Sequence, residues 1–206
     1  MIKKNKKDFI DLSQDLDLTL HQREQLEQFI NLFEQWQTRT KLVSAADIKN
    51  IVSKHIAESV QFLSAETVVF KAVLDLGSGG GFPGIPMAVL RPDCSFVLVD
   101  SKRLKTLFLQ EVVELLEMKN VEIVCSRVEK LCSERSGQFD AVTARAVSDL
   151  NTLWLWSEPL LKPTGHLVAQ KGGEIDAEIA HLPEVCLVQK QAVFKDKSKI
   201  LLTIKK

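Results

Sequence analysis

The stretch Ala72-Val73-Leu74-Asp75-Leu76-Gly77-Ser78-Gly79-Gly80-Gly81-Phe82-Pro83-Gly84 decides how this chain folds. Its first five residues, mostly apolar, read as a short buried strand, and the glycines that follow end it at once. Glycine backbones turn sharply and bring peptide groups against a ligand with no Cβ in the way. Pro83 falls just inside a helix start, where its missing N–H costs nothing. Strand, glycine turn and helix make the first unit of a doubly wound sheet.

Outward from this unit, Ser95–Asp100 reads as a second strand ending on an acid, Val121–Cys125 as a third and Phe139–Thr143 as a fourth. His166–Gln170 gives a fifth, after a helix over 149–159 and a turn at Pro163-Thr164-Gly165. Residues 102–118 are amphipathic, with Leu104, Leu107, Phe108, Val112, Leu115 and Leu116 expected to face inward. A short helix near 174–181 and strands near 185–194 and 199–204 complete the chain. Strands alternating with helices predict an α/β Rossmann-like sheet, mostly parallel, and the closing hairpin predicts one antiparallel strand in it.

Before residue 70 the texture is helical. Leu26, Phe29, Ile30, Phe33 and Trp36 fall at helical spacing behind a candidate capping box, Thr19-x-x-Gln22. Ile48, Ile51, Val52, Ile56, Val60 and Leu63 form a second stripe, started by Asp47. These stripes need a surface to pack on, so 1–66 is expected to be a helical cap on the sheet of 67–206.

Composition narrows the function. Lys and Arg total 27 and Asp and Glu 27, so a nucleic-acid partner must be sought in local clusters such as Lys102, Arg103 and Lys105. Lys3, Lys4, Lys6 and Lys7 form another cluster, and Lys195, Lys197 and Lys199 a third; each alone reads as a solvated face. The four cysteines are scattered with no C-x-x-C pair, which predicts neither a metal site nor a disulfide framework and fits a reducing cytoplasm. No membrane-spanning run or secretory signal is expected.

Gly79-x-Gly81-x-x-Gly84 alone is a weak nucleotide signal, but Asp100 closes the next strand 23 residues after Gly77. A carboxylate there accepts both hydroxyls of a ribose, so the pair predicts an adenosine-containing cofactor. A nicotinamide dinucleotide would need a helix N-terminus for its pyrophosphate and a second mononucleotide half. S-adenosyl-L-methionine needs instead an acid for its α-amino group, which Asp75 is placed to supply. The length and the antiparallel end of the sheet favour the same choice, so the chain is read as a class I methyltransferase.

For the acceptor, the fourth strand ends on Thr143-Ala144-Arg145-Ala146, not on the Asn/Asp-Pro-Pro-aromatic motif of amine-directed methyltransferases. No cysteine stands there to attack a pyrimidine ring. Arg127, Arg145 and Lys171 follow strands three, four and five, at the edge where the crevice lies. Three cations there suit a polyanion, and an arginine also reads the O6 and N7 edge of guanine.

The chain resembles the small-subunit ribosomal RNA methyltransferase G family, also called glucose-inhibited division protein B, over about residues 20 to 204. The resemblance rests on Leu74 through Pro86, with its Gly81-Phe82-Pro83-Gly84-Ile85-Pro86 extension, and on Arg91-Pro92-Asp93 and Leu98-Val99-Asp100-Ser101-Lys102-Arg103. It continues through Ser126-Arg127-Val128-Glu129, Thr143-Ala144-Arg145-Ala146 and Leu160-Leu161-Lys162-Pro163. It implies methylation of N7 of guanine 527, in the 530 loop of 16S rRNA, by a monomeric cytoplasmic enzyme. Asp75, Gly77, Gly79, Phe82, Asp100, Val128, Glu129 and Arg145 would bind the cofactor, Arg127, Arg145 and Lys171 the RNA, with Arg145 positioning and no general base. Zero net charge argues against binding by bulk electrostatics and favours a preformed ribonucleoprotein particle over naked rRNA. The chain departs from the family at Trp36-Gln37-Thr38-Arg39-Thr40-Lys41-Leu42-Val43, which lacks two usual asparagines, and mildly at Lys54-His55-Ile56-Ala57-Glu58-Ser59. A substrate role for the first loop is therefore not expected, and His55 is read as a residue that braces its own helix. The alternatives are a class I methyltransferase acting on protein or a small molecule, and a nicotinamide-binding domain.

Overall fold

The computed structural model describes residues 3–44, 47–65, 67–193, 196 and 198–206; Lys195 and Lys197 of the third lysine cluster lie outside them. One sheet is built from β1 (Ala72–Leu76), β2 (Ser95–Asp100), β3 (Val121–Cys125), β4 (Phe139–Arg145), β5 (Leu161–Gly172), β6 (Leu187–Ala192) and β7 (Lys199–Lys205). Their order is β3-β2-β1-β4-β5-β7-β6. β1 pairs in parallel with β2 and β4, setting Leu74 beside Val97 and Val142, while β7 runs antiparallel to both β5 and β6. The mostly parallel sheet with one reversed strand is thus as the sequence predicts. Strand order reverses beside β1, so a crevice opens beyond the carboxyl ends of β1 and β4.

Alternate side chains of each strand enter different cores. Val73, Phe96, Leu98, Ala141 and Val168 join one face; Leu74, Leu76, Val97, Val142 and Leu167 join the other. The helices are α1 (Lys3–Asp15), α2 (Leu20–Trp36), α3 (Ala57–Gln61), α4 (Gly84–Leu90), α5 (Arg103–Leu115), α6 (Val128–Leu131), α7 (Leu150–Ser157) and α8 (Asp176–Ala180). Thr19 and Gln22 form the expected reciprocal cap on α2. This helix buries Leu26, Phe29, Ile30 and Phe33 in the same core as Val73 and Ile85. Phe29 meets Phe82 at 5.4 Å and Phe33 meets Phe108 at 5.8 Å, an aromatic cluster directly beneath the glycine turn. Removing a ring of this size from such a core costs about 3–5 kcal/mol.

Several elements depart from expectation. α1 docks through Phe9 and Leu12 and through Asn5, which hydrogen-bonds Glu34 and the Ile48 carbonyl. The helix expected after Asp47 is a wide π-turn, Ile51–Ile56, running into α3. Asp47 does not cap it and instead accepts from Ser44 and Lys54. In α5 the inward face is Thr106, Phe108, Leu109 and Val112, whereas Leu104 is 57% exposed and Leu107 and Leu115 also face out. The helix carries more leucines than its core needs, and Thr106 takes an inward place by bonding the Arg103 carbonyl. The turn expected at Pro163-Thr164-Gly165 is absorbed into β5, whose register with β4 shifts between Phe139 and Ala141.

Candidate active site

Asp75, the last acid before the glycine turn, is fully buried. Its two oxygens accept from Thr143 Oγ1 at 2.9 Å and from the Gly84 N–H at 3.1 Å. Burial pushes its carboxyl up to about 6, against the pull of the Thr143, Ser78 and Gly84 donors. The side chain thus ties the turn to β4 and α4 from below, and lies too deep to meet an α-amino group directly. Gly77, Gly79 and Gly81 all adopt positive φ, and a Cβ on Gly77 would stand 2.8 Å from Val147 Cγ2. Only a residue without a side chain lets the backbone turn this tightly there.

Asp100 ends β2 at 8% exposure, where its oxygens accept the Gly79 N–H at 3.0 Å and the Lys102 N–H at 2.8 Å. One lone pair on each oxygen stays available to a pair of ligand hydroxyls. The carboxylate faces a cavity of about 170 Å³ lined also by Gly77, Arg127, Val128, Glu129 and Val147. Here the strand-end acid, the bare Gly77 backbone and the apolar Val128 fit the adenosine half of S-adenosylmethionine. Arg127, Val128 and Glu129 come to this place because β3 ends on Cys125, paired with Asp100, and α6 starts three residues later.

Arg145 does not line that groove. It faces a second cavity of about 380 Å³, shared with His55, Ala146, Gln170, Lys171 and Lys199. The two cavities flank the Ala146-Val147 step, where Ala146 takes a positive φ of 54°. The Arg145 guanidinium donates to the His55 carbonyl at 3.3 Å and to His55 Nδ1, pairs with Glu58 at 3.6 Å and lies 5.7 Å from the Phe82 ring centroid. Glu58, itself buried, also holds Lys199 and accepts from Gln170 at 3.2 Å. Phe82, expected against the cofactor, is buried among Phe29, Phe33 and His55 and instead floors the arginine.

An imidazole nitrogen that accepts from a guanidinium is unprotonated, so His55 carries its hydrogen on Nε2, a buried atom with no partner among the described residues. Burial first, and the Arg145 charge second, push the His55 pKa down to about 3. His55 is therefore neutral throughout the physiological range. It orients Arg145, and among the described residues its ring makes no hydrogen bond to its own helix, against the bracing role expected from the sequence.

The three expected cations split. Arg145 and Lys171 share one cavity, whereas Arg127 lines the other. Lys171 is already paired with Glu178 at 2.8 Å and donates to the Ser148 carbonyl. Glu58, Gln170 and Lys199 are site residues that sequence reasoning does not reach. The one available signal is the Lys54-His55-Ile56-Ala57-Glu58-Ser59 motif, whose purpose needs Arg145 beside it to be seen.

The sheet order, the glycine cradle and the strand-end acid define a class I methyltransferase with S-adenosylmethionine as cofactor. A solved S-adenosylmethionine-dependent methyltransferase from Aquifex aeolicus shares the fold, with a TM-score of 0.56 over 79% of this chain and 98% of that one at 17% identity. Residues 22–200 match the family model for rRNA small subunit methyltransferase G, and the chain belongs to that family. The ribosomal RNA small subunit methyltransferase G of Vibrio cholerae (strain M66-2) is 40% identical over 174 residues, spanning 84% of this chain and 81% of the relative. Its counterpart in Enterobacter sp. (strain 638) is 37% identical over 169 residues, spanning 82% and 80%.

Proposed function

We propose that this protein methylates N7 of guanine 527, in the 530 loop of 16S rRNA. Family membership supports a small-subunit rRNA substrate. The observation that carries the chemistry is Arg145, held at the end of β4 beside a histidine kept neutral. S-adenosylmethionine supplies an electrophilic methyl group. Guanine N7 carries an unprotonated lone pair, so the site needs no general base. What it must do is hold N7 in line near the methyl and exclude water. The titratable groups agree with such a site, since Asp75 is engaged by the turn, His55 by Arg145 and Glu58 by two cations.

In this reading Asp100 holds the ribose, Val128 and Glu129 meet the adenine, and Gly77 and Gly79 shape the floor of the groove. Arg145 presents the donors that its partners leave over to guanine O6 or a neighbouring phosphate. A cation facing N7 itself would oppose the positive charge that appears on the base, so the guanidinium belongs on the O6 side. Lys171 and Arg127 flank the base from the two cavities. Residues 1–66 act as a cap on 67–206, and the enzyme works as a cytoplasmic monomer on a preformed small-subunit particle.

Methyl transfer to small-subunit RNA, followed by nucleoside analysis, tests this reading. The expected product is 7-methylguanosine in the 530 loop. Label in another nucleoside, in ribosomal protein or in nothing would reject it and favour a class I methyltransferase with a different acceptor.

A further inference from the structure

The side chains of Lys102, Arg103 and Lys105 have no part in the site described above, to which Lys102 contributes only its backbone N–H. It stands at the first turn of α5, a 13-residue helix with no acid in that turn. The N-terminal end of a helix dipole is positive, so cations there work against the helix and in favour of an anion. Lys105 reaches back over the glycine turn, its Nζ 3.3 Å from where a Cβ on Gly79 would lie.

The loop after α2 comes to the same place. Gln37 closes it: its side-chain oxygen accepts from the N–H groups of Leu42 and Val43, and its amide donates to the Val43 carbonyl at 2.8 Å. Gln37 thus builds a defined loop where the family's usual asparagine is missing. Leu42 packs against Gly80, next along the same turn. Arg39 and Lys41 face outward, with the Arg39 guanidinium 5.7 Å from the Trp36 ring centroid. Trp36 in turn contacts Phe108 of α5 at 5.8 Å and donates to Glu111. Trp36 thus joins the loop to the middle of α5, Leu42 and Lys105 both reach the glycine turn, and Leu104 and Leu107 of the same helix are exposed.

We propose that the loop 37–44 and the first turn of α5 form one basic ridge that takes the phosphate backbone of the RNA strand beside the target base. This rests on the reading of the chain as an RNA methyltransferase. A run of cations around a half-buried aromatic and two exposed leucines suits a strand whose phosphates pair with Arg and Lys while an unstacked base covers the apolar surface. Acids would be favoured by the dipole at the first turn of α5, and none stands there.

The full chain with Arg39→Gln, Lys41→Gln and Arg103→Gln together tests it. Equilibrium binding of a labelled small-subunit rRNA fragment is read across salt concentrations, alongside calorimetric binding of S-adenosylhomocysteine as a check on the fold. We expect RNA affinity to fall roughly tenfold or more, and the log–log salt slope to flatten by about 0.7–0.9 for each phosphate contact removed. Cofactor-product affinity should not change. RNA affinity and slope equal to wild type would overturn the ridge. So would a lower affinity with an unchanged slope, which would place the loss in non-ionic contacts and not in phosphate pairing. Because binding is read without methyl transfer, a wild type that binds RNA through the ridge but methylates nothing would count against the proposed reaction and not against the ridge.

Discussion

On the β2 side of the crevice the proposed cofactor groove is made mostly of backbone: three glycines at positive φ, two N–H groups fixed on Asp100, and an acid buried beneath. On the β5 side the proposed acceptor pocket is made of side chains from four distant segments, with Arg145 fixed by His55 and Glu58 and these joined to Gln170 and Lys199. The first is stiff because its conformation is local. The second is stiff only while every partner is present, since a buried charge left alone costs far more than the pair contributes. The two halves should therefore respond to mutation in different ways.

The largest stability effect is expected on the β5 side. Glu58→Ala leaves Arg145 and Lys199 without their shared carboxylate and should lower unfolding free energy by about 3–5 kcal/mol in chemical denaturation. Glu58→Gln keeps the shape but also removes the charge, and should cost nearly as much. A much smaller loss for Glu58→Gln would mean that the pocket is held by packing and not by charge.

On the β2 side, Asp100→Ala should leave the fold intact but weaken S-adenosylhomocysteine binding by about 10- to 100-fold, as the loss of one or two hydrogen bonds to a charged group does. Unchanged calorimetric affinity would refute the ribose assignment.

Acid exposes the contrast again. The His55 pKa is pushed from 6.5 in the unfolded chain to about 3, so only the unfolded chain takes up this proton between those values. The stability His55 contributes is full above pH 6.5 and falls by about 1.4 kcal/mol per unit below it. Asp75, raised from 3.8 to about 6, acts in the opposite sense: its contribution is present at low pH and lost as pH rises through about 6. The histidine window is the wider, so the wild type should lose stability on acidification. In His55→Asn, which keeps an acceptor near Nδ1, the slope between pH 6.5 and about 4 should flatten or reverse. An unaltered slope would show that His55 is not the acid-sensitive group.

The smallest effect belongs to α5, where Leu104→Gln, on a side chain 57% exposed, should shift stability by no more than about 0.5 kcal/mol. A larger loss would restore the inward-facing stripe that the periodicity suggests.

The same contrast separates what is legible in the sequence from what is not. Asp75, the glycines and Asp100 lie within 26 residues, and their spacing is itself the geometry, so sheet and groove can be read from it. Glu58 meets Gln170 and Lys199 across separations of 112 and 141 residues, and nothing in local pattern announces such a meeting. Phe82 escapes for a related reason: a turn fixes backbone direction but not which side of the floor a ring occupies. The leucines of α5 mislead because two apolar stripes coexist on one helix and periodicity does not choose between them. The loop at Gln37 misleads in the other direction, since a lost asparagine suggests a lost structure while the longer amide closes the loop equally well.

The claim that the two halves are separately built is tested most directly by Arg145→Ala, with turnover on small-subunit RNA and calorimetric binding of S-adenosylhomocysteine measured on the same preparation. Turnover should fall by roughly 100-fold or more, as expected when a positioning group is lost, while affinity for the cofactor product stays within about twofold of wild type. Near-normal turnover, or a loss of cofactor-product affinity matching the loss of turnover, would contradict it.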